Sequence, residues 1–259
     1  MKLLIDADFI VYKNCAAVES EVDFGNDVIL VTSNFSDAYR ATERELTRIK
    51  NKFGSFSDVI LFFSDSTNFR KKICPDYKGH RNRKKPCGYK RVIEALKKEY
   101  RVIIKPTLEA DDGMGVYATK YPGNIIVSPD KDMKQIPGQL YNFDEMFTIT
   151  PEEGAKWHLI QTMAGDQTDG YSGVPGIGVK RAVSLFESEG YSWKTVCKAF
   201  QEKDFTEVTA LANARLARIL TADDYDFEKL EPKLWTPASD YEINSGTGST
   251  VKANRTKTK

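Results

Sequence analysis

Cysteine and histidine are scarce in this chain: 259 residues hold four of the first and two of the second. Cys15, Cys74, Cys87 and Cys197 lie far apart and form no C-x-x-C pair, which argues against a zinc site and a disulfide framework and leaves reduced packing residues. His80 and His158 are too few and too scattered to build a nucleophile–base system, and His158, on an expected helix, reads as structural. Long apolar runs are missing too. The longest, Val59 to Phe63, has five residues, against the roughly 20 that cross a bilayer. Asp6 interrupts the N-terminal apolar stretch before a signal peptide could form, so no membrane partner is expected and the protein should remain in the cytoplasm where it is made.

The formal net charge is only +1, but it is unevenly spread: residues 1–66 carry −4, residues 67–105 carry +11, residues 106–170 carry −7 and residues 171–259 carry +1. A basic block beside an acidic one suits a protein that grips a polyanion and holds cations where that polyanion is cut. Two solvated faces of opposite sign are the plainer reading, and charge alone does not separate the two.

Short apolar runs alternate with helical patterns over the first 150 residues. Strands are expected at Leu3 to Ile5, Val59 to Phe63, Val102 to Ile104 and Ile125 to Val127, with helices near 36–53, 89–100 and 110–120. Phe35, Tyr39, Leu46, Ile49 and Phe53 give the first helix its apolar face, and Gly54 stops it. Near-continuous apolar strands separated by helices predict an α/β fold with a doubly wound, mostly parallel sheet over residues 1–150. Two further strands are expected at 139–143 and 146–149. Thr150-Pro151-Glu152-Glu153 then reads as a capping box opening a helical subdomain, residues 151–236. Residues 237–259, rich in Ser, Thr, Gly, Asn and Lys, read as a disordered tail.

Four of the expected strands end at or just before an acid: Asp6, Asp65, Glu109 and Asp130. In a parallel sheet the carboxyl ends of the strands face one crevice, so these acids should converge. Asp111 and Asp112 follow Glu109 at a helix start, and Asp132 follows Asp130. Each alone has a structural reading, as a turn former or a first-turn acid favoured by the helix dipole. Together they would repel unless a cation compensates them, and oxygen ligands without His or Cys select Mg²⁺ or Mn²⁺. Metal-assisted hydrolysis of a phosphate ester is the reaction class left.

Between Asp65 and Glu109 lie Asn68-Phe69-Arg70-Lys71-Lys72, Tyr77-Lys78-Gly79-His80-Arg81 and Arg83-Lys84-Lys85. Cations with an interleaved aromatic suit a nucleic-acid strand, although a solvated basic loop reads the same way. Farther on, Gly165-Asp166-x-x-Asp169 precedes a Gly173-Val174-Pro175-Gly176-Ile177-Gly178 turn that opens a helix at Lys180 and Arg181. Backbone N–H groups at such a turn attract phosphate, but a plain inter-helix turn is as natural a reading.

In order and spacing these segments resemble the 5′-nuclease superfamily, the flap endonucleases and 5′→3′ exonucleases, most nearly the exonucleases of short-tailed phages, over roughly residues 1–185. The resemblance implies a PIN-like (resolvase-like) domain with a two-metal centre, then a helix–turn–helix (H3TH) element whose glycine turn holds duplex phosphates, with a K⁺ on its carbonyls. It implies that Glu109, Asp111, Asp130 and Asp132 hold one metal, that Asp166 and Asp169 build the second site with Asp130 or Asp132, and that Asp6, Asp65 and Asp112 orient the surrounding waters. Tyr77 would stack on a base, and Lys78 and Arg81 would steady the charge on the scissile phosphate. Arg70, Lys71, Gly176, Gly178, Lys180 and Arg181 would join them in holding DNA. The implied substrate is double-stranded DNA with a 5′ end or flap, or an RNA–DNA hybrid, met by a monomer. The resemblance assigns the basic segment at about 67–90 to an arch or loop, and the stretch between Lys78 and Glu109, which in the family forms a helical arch, is shorter here and holds Pro86 and Gly88. Asp6-x-Asp8 also resembles the aspartyl-phosphate motif of haloacid-dehalogenase phosphatases, and a non-catalytic structure-specific DNA-binding protein is the third reading.

Overall fold

The computed structural model describes residues 1–81, 84–238 and 241–243. Arg83 of the basic block and residues 239, 240 and 244–259 of the expected tail lie outside them. In chain order the first part runs β1 (Lys2–Asp6), α1 (Ala7–Ala17), β2 (Glu19–Asp23), β3 (Ile29–Ser33), α2 (Phe35–Phe53) and β4 (Asp58–Phe63). It continues with α3 (Tyr89–Glu99), β5 (Arg101–Ile104), α4 (Ala110–Lys120), β6 (Ile125–Val127), β7 (Gly138–Tyr141) and β8 (Met146–Ile149). Four helices follow, α5 (Pro151–Ala164), α6 (Val179–Glu189), α7 (Trp193–Gln201) and α8 (Glu207–Ala217).

Six strands form one sheet in the order β5-β4-β1-β6-β7-β8, parallel throughout except for the antiparallel β7–β8 pair. Strand β1 is central, with Leu4 in register with Ile60 on one side and Ile126 on the other. Its run is continuously apolar because both faces are covered. Leu3 and Ile5 pack with α1, α2 and α3, while Leu4 packs with Met114 of α4 on the opposite face. All three are fully buried, each contributing about 1.5–3 kcal/mol relative to exposure.

The expected helices form. Leu46 and Ile49 of α2 are buried, Phe35, Tyr39 and Phe53 pack beside them, and Gly54 ends the helix at φ 61°. The capping box is present: the Thr150 hydroxyl accepts from the Glu153 N–H at 3.1 Å, and the Glu153 carboxylate from the Thr150 N–H at 2.7 Å. Two elements have no counterpart in the sequence reading. Helix α1 begins directly from Asp6, which is both the end of a strand and an N-cap, so no loop punctuation marks it. The β2–β3 hairpin carries exposed Val22, Ile29 and Leu30, apolar residues whose period no core imposes.

Helices α6, α7 and α8 pack on α5 through Leu159, Met163, Phe186, Trp193, Phe200 and Ala214. The chain then returns to the first part. Ile219 joins the core under the sheet, and Leu220 crosses α4 so closely that a Cβ on Gly115 would fall 2.3 Å from its carbonyl oxygen. The tail expected from 237 needs correction, since Glu242–Ile243 pairs with Tyr191–Ser192 and the Tyr241 ring lies 5.7 Å from that of Trp235. Among the described residues no helix is long and apolar enough to cross a membrane.

Candidate metal centre and nucleic-acid face

The carboxyl ends of β1, β4 and β6 and the start of α4 meet at one rim. Asp6 ends β1 and caps α1, accepting from the Phe9 N–H at 3.2 Å and the Ser128 hydroxyl at 3.0 Å. Burial pushes it up to about 7, with Asp8 and Asp130 adding to the effect against those hydrogen bonds. Asp111, in the first turn of α4, is pushed well above the carboxylate range by burial and then by Asp130, Asp6 and Glu109. Its Oδ1 is buried without any hydrogen-bond partner.

Asp130 caps the 3₁₀ turn Lys131–Gln135, accepting from the Asp132 N–H at 2.8 Å, and burial raises it, with Asp169 adding. Asp132 is pushed up to about 7 by burial, then by Asp130, Asp166 and Asp169, against the charge of Lys131. Seven of the nine candidate acids, Asp6, Glu109, Asp111, Asp130, Asp132, Asp166 and Asp169, therefore feel one another's charge.

Cations stand between them. Lys78 bridges Glu109 at 2.5 Å and Asp169 at 3.6 Å, and Lys131 reaches Asp166 at 3.0 Å. Burial would raise Glu109, but Lys78 and Arg70 outweigh it and hold that carboxyl below its usual range. Burial acts the same way on Asp166, where the Thr168 hydroxyl and Lys131 prevail. Among the described residues no three acids already converge on one point at ligand distance, so the rim is a ring of carboxylates spaced by lysines. The donor set fits hard divalent ions: it is all oxygen, and the Asp111 atom without a partner lies among like charges that favour a cation.

Two candidate acids do different work. Both oxygens of Asp112 are taken by the Arg70 guanidinium at 2.7 and 2.8 Å, and the Leu220 N–H adds to Oδ1 at 3.2 Å. Asp65 folds its own loop, accepting from the Thr107 and Ser66 N–H groups and the Thr67 hydroxyl, each at 2.8 Å, and those bonds hold it below the usual range. Neither faces the other carboxylates with a free oxygen.

Arg70 also departs from its expected place on the DNA face. It is 1% exposed and donates further to the carbonyls of Leu216 at 3.0 Å and Arg218 at 2.5 Å, tying the segment after α8 to α4. The Tyr77 ring, expected to stack on a base, is buried against Tyr171, Leu216 and Ala217. Its hydroxyl lies 2.9 Å from Asp169 and 3.1 Å from Glu109, so it positions two acids instead.

Lys78 adopts φ 53°, a left-handed conformation uncommon outside glycine, and its N–H donates to the Asp169 carbonyl at 2.8 Å. Arg81 reaches the Thr168 carbonyl at 2.9 Å and Asp169 at 2.6 Å. These bonds dock the basic segment onto the 166–170 loop. That loop closes on itself: a Cβ on Gly165 would lie 2.4 Å from the Gly173 nitrogen, so two backbones touch where the loop begins and ends. Beyond it, Gly176 has φ 77°, and Gly178 has nothing within 4 Å of where a Cβ would stand, leaving the turn's backbone open to solvent. Lys71, Lys180 and Arg181 are exposed.

Sequence reasoning missed four site residues. Lys131 was legible as the middle of Asp130-x-Asp132. Ser128, which orients Asp6, had only its place in a strand end as a signal. Gln161 donates to Asp132 and accepts from Gln135 at 2.7 Å, and Tyr171 is buried among Asp132, Asp169 and Asp166, which with burial push its hydroxyl far up. No periodicity marks either residue.

With this geometry in view, the comparisons with known proteins are specific. Residues 1–156 match the family model described as the 5′-3′ exonuclease N-terminal resolvase-like domain. An exodeoxyribonuclease of Enterobacteria phage T3 is 31% identical, with 92% of this chain and 93% of that protein aligned. An exonuclease of Escherichia phage T7 is 29% identical over 91% and 93%. The solved structure of the T5 5′-exonuclease with bound zinc ions shares the fold at a TM-score of 0.62 and 18% identity, covering 84% of this chain and 88% of that one. The fold is thus shared over most of the chain, and the chain belongs to the 5′-3′ exonuclease family with the resolvase-like N-terminal domain.

Proposed function

We propose that the acidic rim holds two divalent metal ions, Mg²⁺ with Mn²⁺ able to substitute, and that the chain is a 5′→3′ exonuclease with flap endonuclease activity on duplex DNA. The single observation that carries this reading is the Asp111 oxygen, buried without a donor among like charges. Glu109, Asp111, Asp130 and Asp132 would hold one ion, and Asp166 and Asp169 the other with Asp130 or Asp132. When bound, such ions polarise a phosphoryl oxygen and offset the charge that builds up as the phosphodiester is cut.

The chain's own groups serve the phosphate in stated ways. Ser128 holds one oxygen of Asp6 and Gln161 one of Asp132, fixing both carboxylates against rotation. Lys78 and Arg81, now on Glu109 and Asp169, are the cations next to the rim, and once ions take over those carboxylates they are free to meet the scissile phosphate. Tyr77 keeps Glu109 and Asp169 apart at a fixed spacing. Lys71, Lys180, Arg181 and the open backbone at Gly176 and Gly178 would follow the duplex backbone, with a K⁺ on the turn's carbonyls; the Gly176 carbonyl now accepts from Arg181 at 3.3 Å. The same face accepts an RNA–DNA hybrid because these contacts go to phosphates. The chain would act as a monomer in the cytoplasm.

The phosphatase reading loses its support at Asp8. Its two oxygens are engaged by the Tyr89 hydroxyl and, at 2.7 Å, by the Ser64 N–H, so Asp8 serves to tie α1 to α3 and the end of β4. Incubation with 5′-labelled and 3′-labelled duplexes, in Mg²⁺ and in EDTA, tests the proposal. Mg²⁺-dependent loss of the 5′ label is expected. Intact 5′ label in Mg²⁺, with binding retained, would favour the non-catalytic DNA-binding reading.

A further inference from the structure

A cavity of about 630 Å³ opens at the end of the sheet opposite the acidic rim, where β1, β5 and β6 begin. That size is within the roughly 300–1,000 Å³ usual for small-molecule sites. Lys2, Arg101, Lys105 and Lys120 line it, and no aspartate or glutamate does. Among the described residues Lys2, Lys105 and Lys120 have no carboxylate within 4 Å, and Arg101 only approaches Asp58 at 3.9 Å. Four cations with almost no counter-charge face one hollow.

Tyr117, Tyr121 and Phe227 form part of the wall, with Ile103, Val116 and Pro122 beside them, and Tyr225 stands just behind. Lys120 stands 3.4 Å over the Phe227 ring, and Lys105 stands 5.7 Å from the same ring and 4.4 Å from Tyr225. Both ammonium groups thus rest on π faces instead of acids. Burial and the charge of Lys120 push Lys105 below its usual range, a cost that an anion in the cavity would remove. Tyr121 is half exposed, packing on Tyr117 at 4.9 Å with the Lys120 ammonium 5.8 Å from its ring, so part of the ring stays open to solvent.

Uncompensated ammonium groups call for an anion, and an open aromatic face beside them calls for a flat π system on that same anion. We propose that this cavity binds a nucleoside phosphate, the phosphate on Lys105 and Lys120 and the base against Tyr121. The inference does not depend on the nuclease reading, because it uses none of the rim residues.

Calorimetric titration of the full chain in EDTA removes metal-dependent phosphate binding at the rim, and the variants below separate the cavity from the other cationic surfaces. The probes are deoxyadenosine 5′-monophosphate and 2-deoxyribose 5-phosphate, which lacks the base. Saturable binding of the nucleotide at or below about 1 mM is expected. The double variant Lys105→Ala/Lys120→Ala should weaken it by about tenfold, and Tyr121→Ala by about fivefold while leaving the sugar phosphate unchanged. Both variants alter surface groups, and an unchanged thermal midpoint confirms that each folds. Absence of nucleotide binding, binding untouched by the double variant, or equal affinity for the sugar phosphate would each overturn the proposal.

Discussion

Stripping divalent ions from the protein and returning Mg²⁺ should stabilise it far more at pH 7 than at pH 5. The magnitude follows from Asp6 and Asp132, both pushed up to about 7 by burial and by their neighbours' charge. An acid raised this way contributes stability that is present below its unfolded pKa, near 4, and lost as pH climbs through its folded pKa. Between pH 5 and pH 7 the loss is about 2 kcal/mol for each acid that titrates there. His158 works in the opposite direction: burial, then Arg218, lowers it to about 3, so its contribution is present above its unfolded pKa and is lost as pH falls below it. Between pH 7 and pH 5 that loss is also about 2 kcal/mol, which offsets one of the two acids and leaves the metal-free protein about 2 kcal/mol more stable at pH 5. The difference made by Mg²⁺ at each pH cancels the histidine. At pH 5 an ion entering the rim must displace protons held near pH 7, costing about 2 kcal/mol more per proton than at pH 7. In a chain of this size that is about 4–8 °C of thermal midpoint per proton. The assay is thermal unfolding with EDTA and with Mg²⁺ at both pH values. Equal Mg²⁺ shifts at pH 5 and pH 7, or no shift at either, would refute the claim that raised carboxylates and metal compete for one rim.

Replacing Asp130 with Asn should nearly abolish cutting while DNA binding in Ca²⁺ persists; unchanged turnover in a labelled-duplex assay removes Asp130 from the centre. The Arg70→Met variant strips the buried Asp112 carboxyl group of α4 of its cationic partner, and urea unfolding should report a loss of about 3–5 kcal/mol. A loss under about 1 kcal/mol would show that the pair contributes little. Gly165→Ala forces a Cβ to 2.4 Å from the Gly173 nitrogen at φ 68°, and activity should fall together with stability; a fully active, equally stable variant contradicts the backbone contact.

The sheet was legible because its signals are local and redundant: three-residue apolar runs, Gly54 after a helix, a capping box at Thr150. So was the convergence of acids, since strand ends in a parallel sheet share an edge whatever their side chains do. What the sequence could not separate is which acids keep a free oxygen. Asp111 and Asp112 are adjacent and chemically identical, yet the helical turn aims one at the rim and the other at Arg70, a residue 42 positions away in sequence. Arg70 itself sits in a block of cations whose composition says surface, and only the return of residues 216–220 across α4 buries it. Tyr77 is concealed for the same reason. Long-range closure leaves no periodic trace.

The basic block therefore has two separable jobs that charge counting merges. Arg70 is chiefly structural, with its short bonds directed inward and one longer contact, 3.4 Å, to Glu109 of the rim. Lys78 and Arg81 are counter-ions, joined by Lys131 from within the acidic segment, and they make the crowded rim tolerable without metal. The side chains of Lys131 and Arg81 are 57% and 44% exposed, so both can leave for solvent or for a phosphate when divalent ions arrive. Lys78, at 22%, has its backbone anchored to Asp169, so its ammonium turns from Glu109 to the phosphate without leaving the rim. A rim neutralised by mobile cations before loading and by fixed ions afterwards gives the phosphate a cationic path inward, because the charges that metal displaces lie on the side from which the strand approaches. On this argument Arg81→Ala should slow cutting chiefly by weakening substrate capture, raising KM by more than it lowers kcat, whereas Lys78→Ala should lower kcat. Steady-state kinetics on a labelled duplex decides it, and the reverse pattern would exchange their roles.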